Sequence, residues 1–435
     1  MPRPAKAIAR RRTQIGVGGV QLSAIEKRLV KQALDNDRLS YGPFARAFEN
    51  RFAKLHDRRF AIFMNSGTSA LQVALHALKE TRGWSDGDEI IVPALTFVAT
   101  VNVVLQNNLT PVFVDIEPDH FGIDPQQLER AISPRTRAII PVHPAGQPAD
   151  MAPIVAFARA RGLAILEDSC ETMFARYRGK PVGSFGDIAC FSTYAAHILV
   201  TGVGGLAITD DPELAVMMKS LANHGRDAIY TSMDDDKVDD ATDLFKIVSR
   251  RFSFIHAGYS YRATELEAAI GVGQLRRWRS FVARRKANAK RLTASLADLE
   301  PTIRLPRIRP GSEHVFMMFP MVLADGFDRE SLVRHLEYYK VETRYMLPLL
   351  SQPIYKRLFG DIGSSYPNAH RVDQQGFYVG CHPEVGSAEI RYISDVMHAY
   401  FAEFGRSKER RDPIKRAARA PRERRARSAR RSSTR

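Results

Sequence analysis

The chain has 435 residues, 44% of them hydrophobic and 26% charged, which is material for two or three units with packed cores and includes no run of the roughly 18 apolar residues a membrane span needs. Its formal charge of +16 sits at the ends: residues 1–12 carry five Lys/Arg and no acid, residues 406–435 carry 14 against three acids, and residues 13–405 balance 45 against 45. The body is formally neutral, so nucleic-acid contact is an expectation for the basic tail alone and not for the main function.

The start of the chain, residues 1–21, reads as a basic arm that lacks the apolar run of a secretory signal and leaves an organellar targeting reading open. From Phe60 to Gly205 short apolar runs alternate with helix-length stretches. Ala61 to Met64, Glu89 to Val92, Thr110 to Val114, Arg137 to Val142, Leu163 to Glu167 and Ile188 to Thr193 predict strands. Ser69 to Leu78, Phe97 to Gln106, Pro125 to Ile132 and Met151 to Arg161 predict the helices between them. That alternation predicts an α/β fold with a mostly parallel central sheet covered on both faces. The polar stretch Asp227 to Arg251 reads as an inserted loop, and Thr264 to Leu296 as one long helix bridging to a second domain. Beyond it Val315 to Val322, Arg329 to Tyr339 and Ser387 to Phe404 predict a smaller α+β domain. The expected division is an arm at 1–21, a large domain at 22–280, a small domain at 281–405 and a disordered basic tail at 406–435.

Three widely spaced cysteines, Cys170, Cys190 and Cys381, exclude a disulfide framework and, by count, any four-thiolate metal or iron-sulfur site built from this chain alone. They fit a reducing, cytoplasmic setting. No metal-ligand motif is present, so no metal is expected. Three places carry chemistry. Asn65 to Leu71, including Ser66, Gly67 and Thr68, follows a strand and opens a helix, where backbone N–H groups and small hydroxyls suit a phosphate; an ordinary capped turn uses the same residues. Glu167-Asp168 ends a strand at the sheet edge where ligands bind, and a carboxylate there can hold a protonated ring nitrogen or simply cap the next helix. Ser192 ends a later strand, with His197 five residues on and the turn Thr201-Gly202-Val203-Gly204-Gly205 after it. A lone histidine at such a place reads as structural or catalytic.

Taken in order, Gly42-Pro43, Ser66-Gly67-Thr68, Pro93 to Phe97, Glu167-Asp168, Gly183 to Asp187, Phe191-Ser192 and His224-Gly225 resemble the DegT/DnrJ/StrS family of sugar aminotransferases. The resemblance covers about residues 22 to 402. It implies an aspartate-aminotransferase-like type I fold that binds pyridoxal 5'-phosphate (PLP) or its amine form, pyridoxamine 5'-phosphate (PMP), and a homodimer with shared active sites. Carried over by position, Ser66, Gly67, Thr68 and Ser192 would bind the cofactor phosphate, Phe97 would stack on the ring, Asp168 would pair with the ring nitrogen and Glu171 would lie near the ring hydroxyl. Ser260 stands where the family presents asparagine to the neighbouring subunit's phosphate. His224, Arg226, Arg344 and His382 are candidate substrate contacts by charge and position.

His197 occupies the position of the family's Schiff-base lysine. Imidazole cannot tether the cofactor, yet it moves protons near neutral pH. A histidine there resembles the family's 3-dehydratase branch, which acts on nucleotide-linked 4-keto-6-deoxy sugars, and Asp168-Ser169-Cys170-Glu171 resembles that branch's Asp-x-Cys-acid segment. The resemblance implies a PLP/PMP-dependent dehydratase that removes the 3-hydroxyl of a nucleotide sugar, with glutamate regenerating the amine. Two further readings stand beside it: other PLP chemistry such as transamination, and a catalytically degenerate binding protein.

Overall fold

The apolar runs between Phe60 and Thr209 assemble into one seven-stranded sheet in the computed structural model, which describes residues 8–227, 240–250 and 252–404. From edge to edge the strands are Phe60–Met64, Gly205–Thr209, Ile188–Ser192, Ala164–Asp168, Thr136–Ile139, Glu89–Pro93 and Thr110–Val114. Gly205–Thr209 is antiparallel to both neighbours and every other pair runs parallel, so the remaining six strands point the same way. Glu89–Pro93, Ala164–Asp168 and Ile188–Ser192 are buried along their whole length, which is why they read as continuous apolar runs instead of alternating ones.

Gly67–Arg82 shows how local signals bound a helix here. Ser66 caps its first turn by accepting from Ser69 N at 3.0 Å, and Gly83 ends it in the left-handed conformation. A second, antiparallel sheet orders Ile303–Arg304, Phe319–Leu323, Gly376–Val379 and Thr343–Tyr345. It packs with the helices Trp278–Leu296, Arg329–Tyr338 and Ser387–Phe404 around Leu292, Phe319, Leu336, Phe377 and Ile393. Ile15 from the N-terminal arm joins this core, exchanging backbone hydrogen bonds with Lys340 and Glu342, while Arg11 pairs with Glu389 at 3.0 Å and the Arg10 guanidinium lies over the Tyr338 ring. The described part of the arm is thus docked on the unit built around the second sheet, with Arg10 and Arg11 engaged.

Several expectations are corrected. The single helix over 264–296 is two, Glu265–Leu275 and Trp278–Leu296, because the first half stays packed against the helices Ala24–Asp35 and Pro43–Leu55 while the second crosses to the small domain. Arg277 marks the break and reaches Glu26 at 3.2 Å. Within the insertion read as a loop, Ala241–Arg250 is helical, with the Asp240 carboxylate accepting from Thr242 N and Asp243 N; residues 228–239 and 251 lie outside the described residues, as do 1–7 and the basic tail 406–435. Pro125–Arg130 is a short 3-10 helix. The strand expected at Val315 begins only at Phe319, because Val315 N and Met317 N donate to Gly146 O and Ala145 O instead of to a sheet partner.

A buried acid-base pair braces the central strand Ala164–Asp168. Glu167 and His143 are both fully buried with Oε2 and Nε2 3.1 Å apart, and Ala149 N donates to His143 Nδ1, which leaves Nε2 as the donor to Glu167. Glu167 also accepts from the amides of Gly183, Phe185 and Gly186. Burial pushes this carboxyl up, but the His143 hydrogen bond, the Gly186 amide and the Arg58 charge outweigh burial and hold it below its ordinary value. Its contribution to stability is therefore complete above the unfolded-state pKa and is lost as the pH falls through the lower native one. Glu167→Ala strands four N–H donors, three amides and His143 Nε2, and is expected to cost about 3–5 kcal/mol in denaturant unfolding at neutral pH; a loss below about 1 kcal/mol contradicts this account.

Candidate active site

The residues singled out by sequence converge because parallel strands end together. Met64, Asp168 and Ser192 are the last residues of Phe60–Met64, Ala164–Asp168 and Ile188–Ser192, so Asn65 to Thr68, Asp168 to Glu171 and the turn carrying His197 leave the same sheet edge. The antiparallel strand enters there: Gly205 pairs with both Met64 and Ser192. A Cβ on Gly205 would come within 2.4 Å of the Ser66 carbonyl carbon, so only glycine allows that approach.

Gly67 closes the floor. A Cβ there would lie 2.8 Å from Ser192 Cβ and 2.9 Å from Cys170 Sγ, which brings the Ser66–Thr68 turn, the Asp168–Glu171 turn and Ser192 into one contact group. Ser66 holds the helix start, and Thr68 is exposed beside it. Phe97 precedes the helix Val98–Gln106 and leaves 58% of its surface exposed, an aromatic face open to a partner. One turn on, the Thr100 hydroxyl donates to Asp168 Oδ2 at 2.7 Å, and Cys170 N donates to Oδ1 at 3.1 Å. Asp168 is buried, and an ionised carboxylate has about four acceptor sites, so these two bonds leave capacity for another donor. Glu171 accepts from Ala145 N at 2.8 Å; burial raises its pKa, the Ala145 amide works against this and the Asp168 charge adds to it, leaving it at about 7.

His197 is half-buried, and its Nδ1 lies 2.6 Å from Cys170 O. A carbonyl only accepts, so Nδ1 carries the proton and Nε2 the lone pair. Burial lowers its pKa most, the Cys170 carbonyl opposes, and the Arg285 cation lowers it further, to about 4, so the ring is neutral at physiological pH. It is a base with a fixed tautomer. The 15N shifts of the imidazole are expected to show Nδ1–H without Nε2–H from pH 8 down to 5; an Nε2–H tautomer would remove this basis.

Ser260, His224 and Arg226 form a neighbouring group. Arg262 lies 3.3 Å from Ser260 Oγ and 3.4 Å from His224 Nε2, beside Met64, and the Arg226 guanidinium stands over Phe254 and Phe252. Arg344 pairs with Glu342 and faces Tyr378 across the small sheet. Burial and the Glu171 charge push the Tyr378 hydroxyl up, and the Arg344 charge works against them. His382 is buried with Nε2 3.0 Å from Gly16 O, where it holds the N-terminal segment. Thr100 and the Ala145 amide were not anticipated, although Thr100 follows Phe97 at helical spacing.

An open aromatic face, a buried carboxylate with spare acceptor sites and a glycine floor under small hydroxyls fit a phosphorylated pyridine. The model of the DegT/DnrJ/EryC1/StrS aminotransferase family matches residues 21–398. GDP-perosamine synthase of Caulobacter vibrioides is 36% identical over 352 residues, covering 80% of this chain and 88% of that protein. The dTDP-4-dehydro-2,6-dideoxy-D-glucose 3-dehydratase of Saccharopolyspora spinosa is 32% identical over 403 residues, covering 90% and 87%. Among solved structures, the Escherichia coli GDP-4-keto-6-deoxy-D-mannose-3-dehydratase with bound hydrated PLP superposes with a TM-score of 0.77 at 26% identity, covering 88% of this chain and 99% of that one.

Proposed function

The chain belongs to the DegT/DnrJ/EryC1/StrS aminotransferase family of PLP-dependent, sugar-modifying enzymes, with their aspartate-aminotransferase-like type I fold, and on that premise we propose that it removes the 3-hydroxyl of a nucleotide-linked 4-keto-6-deoxy sugar. One observation carries the reading: His197, which the resemblance sets at the lysine position, is neutral and fixed with its Nδ1 proton on Cys170 O.

Ser66, Gly67, Thr68 and Ser192 would hold the cofactor phosphate, Phe97 would cover one ring face, Asp168 would take the ring nitrogen and Glu171 would meet the ring hydroxyl. When bound, the cofactor supplies an electron sink for a carbanion next to its amine. Asp168, held by Thr100 and Cys170 N, keeps the ring nitrogen's proton in place. His197 Nε2 is the atom that takes and returns a proton, and lacking an amine it never competes for the cofactor's aldehyde. Lys31, Lys79, Lys246, Lys286 and Lys356 engage Asp35, Asp86, Asn107, Asp243, Glu313 and Asp361, all outside this pocket. Ser260 is proposed to reach the phosphate of a second copy's site, which makes the homodimer part of the proposal. His224, Arg226, Arg344 and His382 remain proposed substrate contacts, with His382 Nε2 engaged by the Gly16 carbonyl. Glutamate is the proposed amine donor and the cytoplasm the proposed setting; no described helix is long and apolar enough to cross a membrane.

The test incubates the purified protein with PLP, glutamate and a nucleotide-linked 4-keto-6-deoxy sugar. A sugar lacking its 3-oxygen is expected, with equimolar ammonia and 2-oxoglutarate, and borohydride fixes no cofactor to the chain. A 4-amino sugar without ammonia favours transamination, the reading that the identity to GDP-perosamine synthase supports. Bound cofactor without turnover favours a binding protein. Glu171 adds a pH signature. Protonated, it donates to the ring hydroxyl, so kcat is expected to fall as the pH rises through about 7, and Glu171→Gln is expected to abolish that limb; an unchanged limb removes Glu171 from this role.

A further inference from the structure

We infer that Arg285 is a positioning residue for His197: its buried guanidinium grips the carbonyl of the proposed base and ties that carbonyl to the small-domain segment which also sets the pocket acid. The inference rests on His197 being the base of the proposed reaction.

Arg285 lies on Trp278–Leu296 within the stripe Phe281, Arg285, Ala289, Leu292 and Leu296, whose spacing buries all five side chains. It is 1% exposed and forms no ion pair with a carboxylate among the described residues. Burial lowers its pKa to about 10, so it stays charged at neutral pH. A buried, uncompensated cation is costly, and Nε finds no partner at all, so packing gives no reason for it to be there.

Its remaining donors go to three main-chain carbonyls. Nη2 donates to His197 O at 3.1 Å, and Nη1 donates to Met317 O at 2.6 Å and Phe316 O at 3.2 Å. The Phe316-Met317 segment is the one that delays the start of the strand Phe319–Leu323: Met317 N donates to Ala145 O, and Ala145 N donates to Glu171. One guanidinium thus anchors the main chain at His197 directly and the Glu171 carboxylate through Met317 and Ala145. The planar fork suits this task, because it spans several acceptors that a lysine ammonium cannot hold at once.

The groups facing His197 are few. The turn after Ala164–Asp168 brings the Cys170 carbonyl, with Asp168 and Glu171 on either side of it; the strand end brings the Ser192 carbonyl; Tyr194 meets the ring edge-on at 6.1 Å; and the N-terminal segment brings only Gly18, packed on Ala196. Among the described residues Arg285 is the one cation acting on this ring, so it also opposes formation of the imidazolium.

Imidazole 15N spectra of the cofactor-free protein test this without turnover, the His197 signals being those missing from His197→Asn. In Arg285→Gln the His197 titration is expected to move up by about one pH unit, so that the ring begins to protonate between pH 5 and 6. An unchanged titration in a folded Arg285→Gln protein overturns the inference, whatever its melting temperature. Arg285→Lys keeps the charge but not the fork. It is expected to titrate as the wild type yet lose about tenfold to a hundredfold in kcat with KM within about twofold; wild-type kcat in this variant also overturns the inference, and it stands in where the glutamine variant does not fold. A wild-type protein that forms no 3-deoxy sugar while Arg285→Gln still shifts the titration refutes the proposed function and leaves the coupling intact.

Discussion

Replacing His197 with asparagine is expected to lower formation of the 3-deoxy sugar by about 10²–10⁴-fold, the range for loss of a positioned general base. Cofactor affinity is expected to hold, because the phosphate turn, Phe97 and Asp168 are untouched, and the asparagine amide can still donate to Cys170 O. Single-turnover measurement with PMP-loaded protein isolates the step, since binding and product release then drop out of the rate. The half-reaction with glutamate is expected to slow in parallel if the same Nε2 serves both directions. His197→Lys gives the complementary result: an amine at this place is expected to tether PLP, visible as a shifted absorbance band that borohydride fixes. A lysine variant with an unchanged spectrum shows that position 197 does not face the cofactor, and an asparagine variant with wild-type turnover assigns the proton to another group.

The pattern of Phe60 to Gly205 foretold the mostly parallel sheet, because strands buried on both faces write themselves as apolar runs between helices. The same geometry made Asp168 and Ser192 readable as site candidates, since residues at the ends of such runs share one edge. The antiparallel direction of Gly205–Thr209 was not readable, because strand direction depends on pairing with Phe60–Met64 and Ile188–Ser192 and leaves no local trace. Nor was the break at Arg276-Arg277, where tertiary packing overrides a sequence that favours helix throughout. Main-chain groups explain most of what the site analysis lacked: the Cys170 carbonyl that fixes the His197 tautomer and the Ala145 amide that meets Glu171 have no side-chain signature. Arg285 did leave one, a cation inside an otherwise apolar helical stripe. His382, read as a substrate contact, has its ring engaged with the backbone of Gly16, another main-chain partner with no side-chain signature.

The other large effect is expected at Asp168. The proposal asks its carboxylate to stabilise a positive ring nitrogen in a buried place, where such a pair is little screened. Asp168→Asn keeps the shape and an oxygen for Cys170 N, with its NH2 donating to the Thr100 hydroxyl in place of the bond accepted from it, but removes the charge, so the ring nitrogen loses its reason to stay protonated. Loss of one partner from a buried charge pair costs about 2–5 kcal/mol, roughly 30-fold to several thousand-fold in the cofactor's dissociation constant. The proton-transfer step is expected to fall as well, because an unprotonated ring is the poorer electron sink. Fluorescence titration with PLP reads the first effect and single turnover the second. The variant also separates two uses of the same aspartate. If Asp168 serves only to organise the turn through Thr100 and Cys170, asparagine preserves much of that geometry, and cofactor affinity stays within about threefold while stability changes little. Such an outcome would return Asp168 to a capping role and leave the ring without an anchor, whereas a large loss of affinity with unchanged thermal stability of the cofactor-free protein places the carboxylate against the ring.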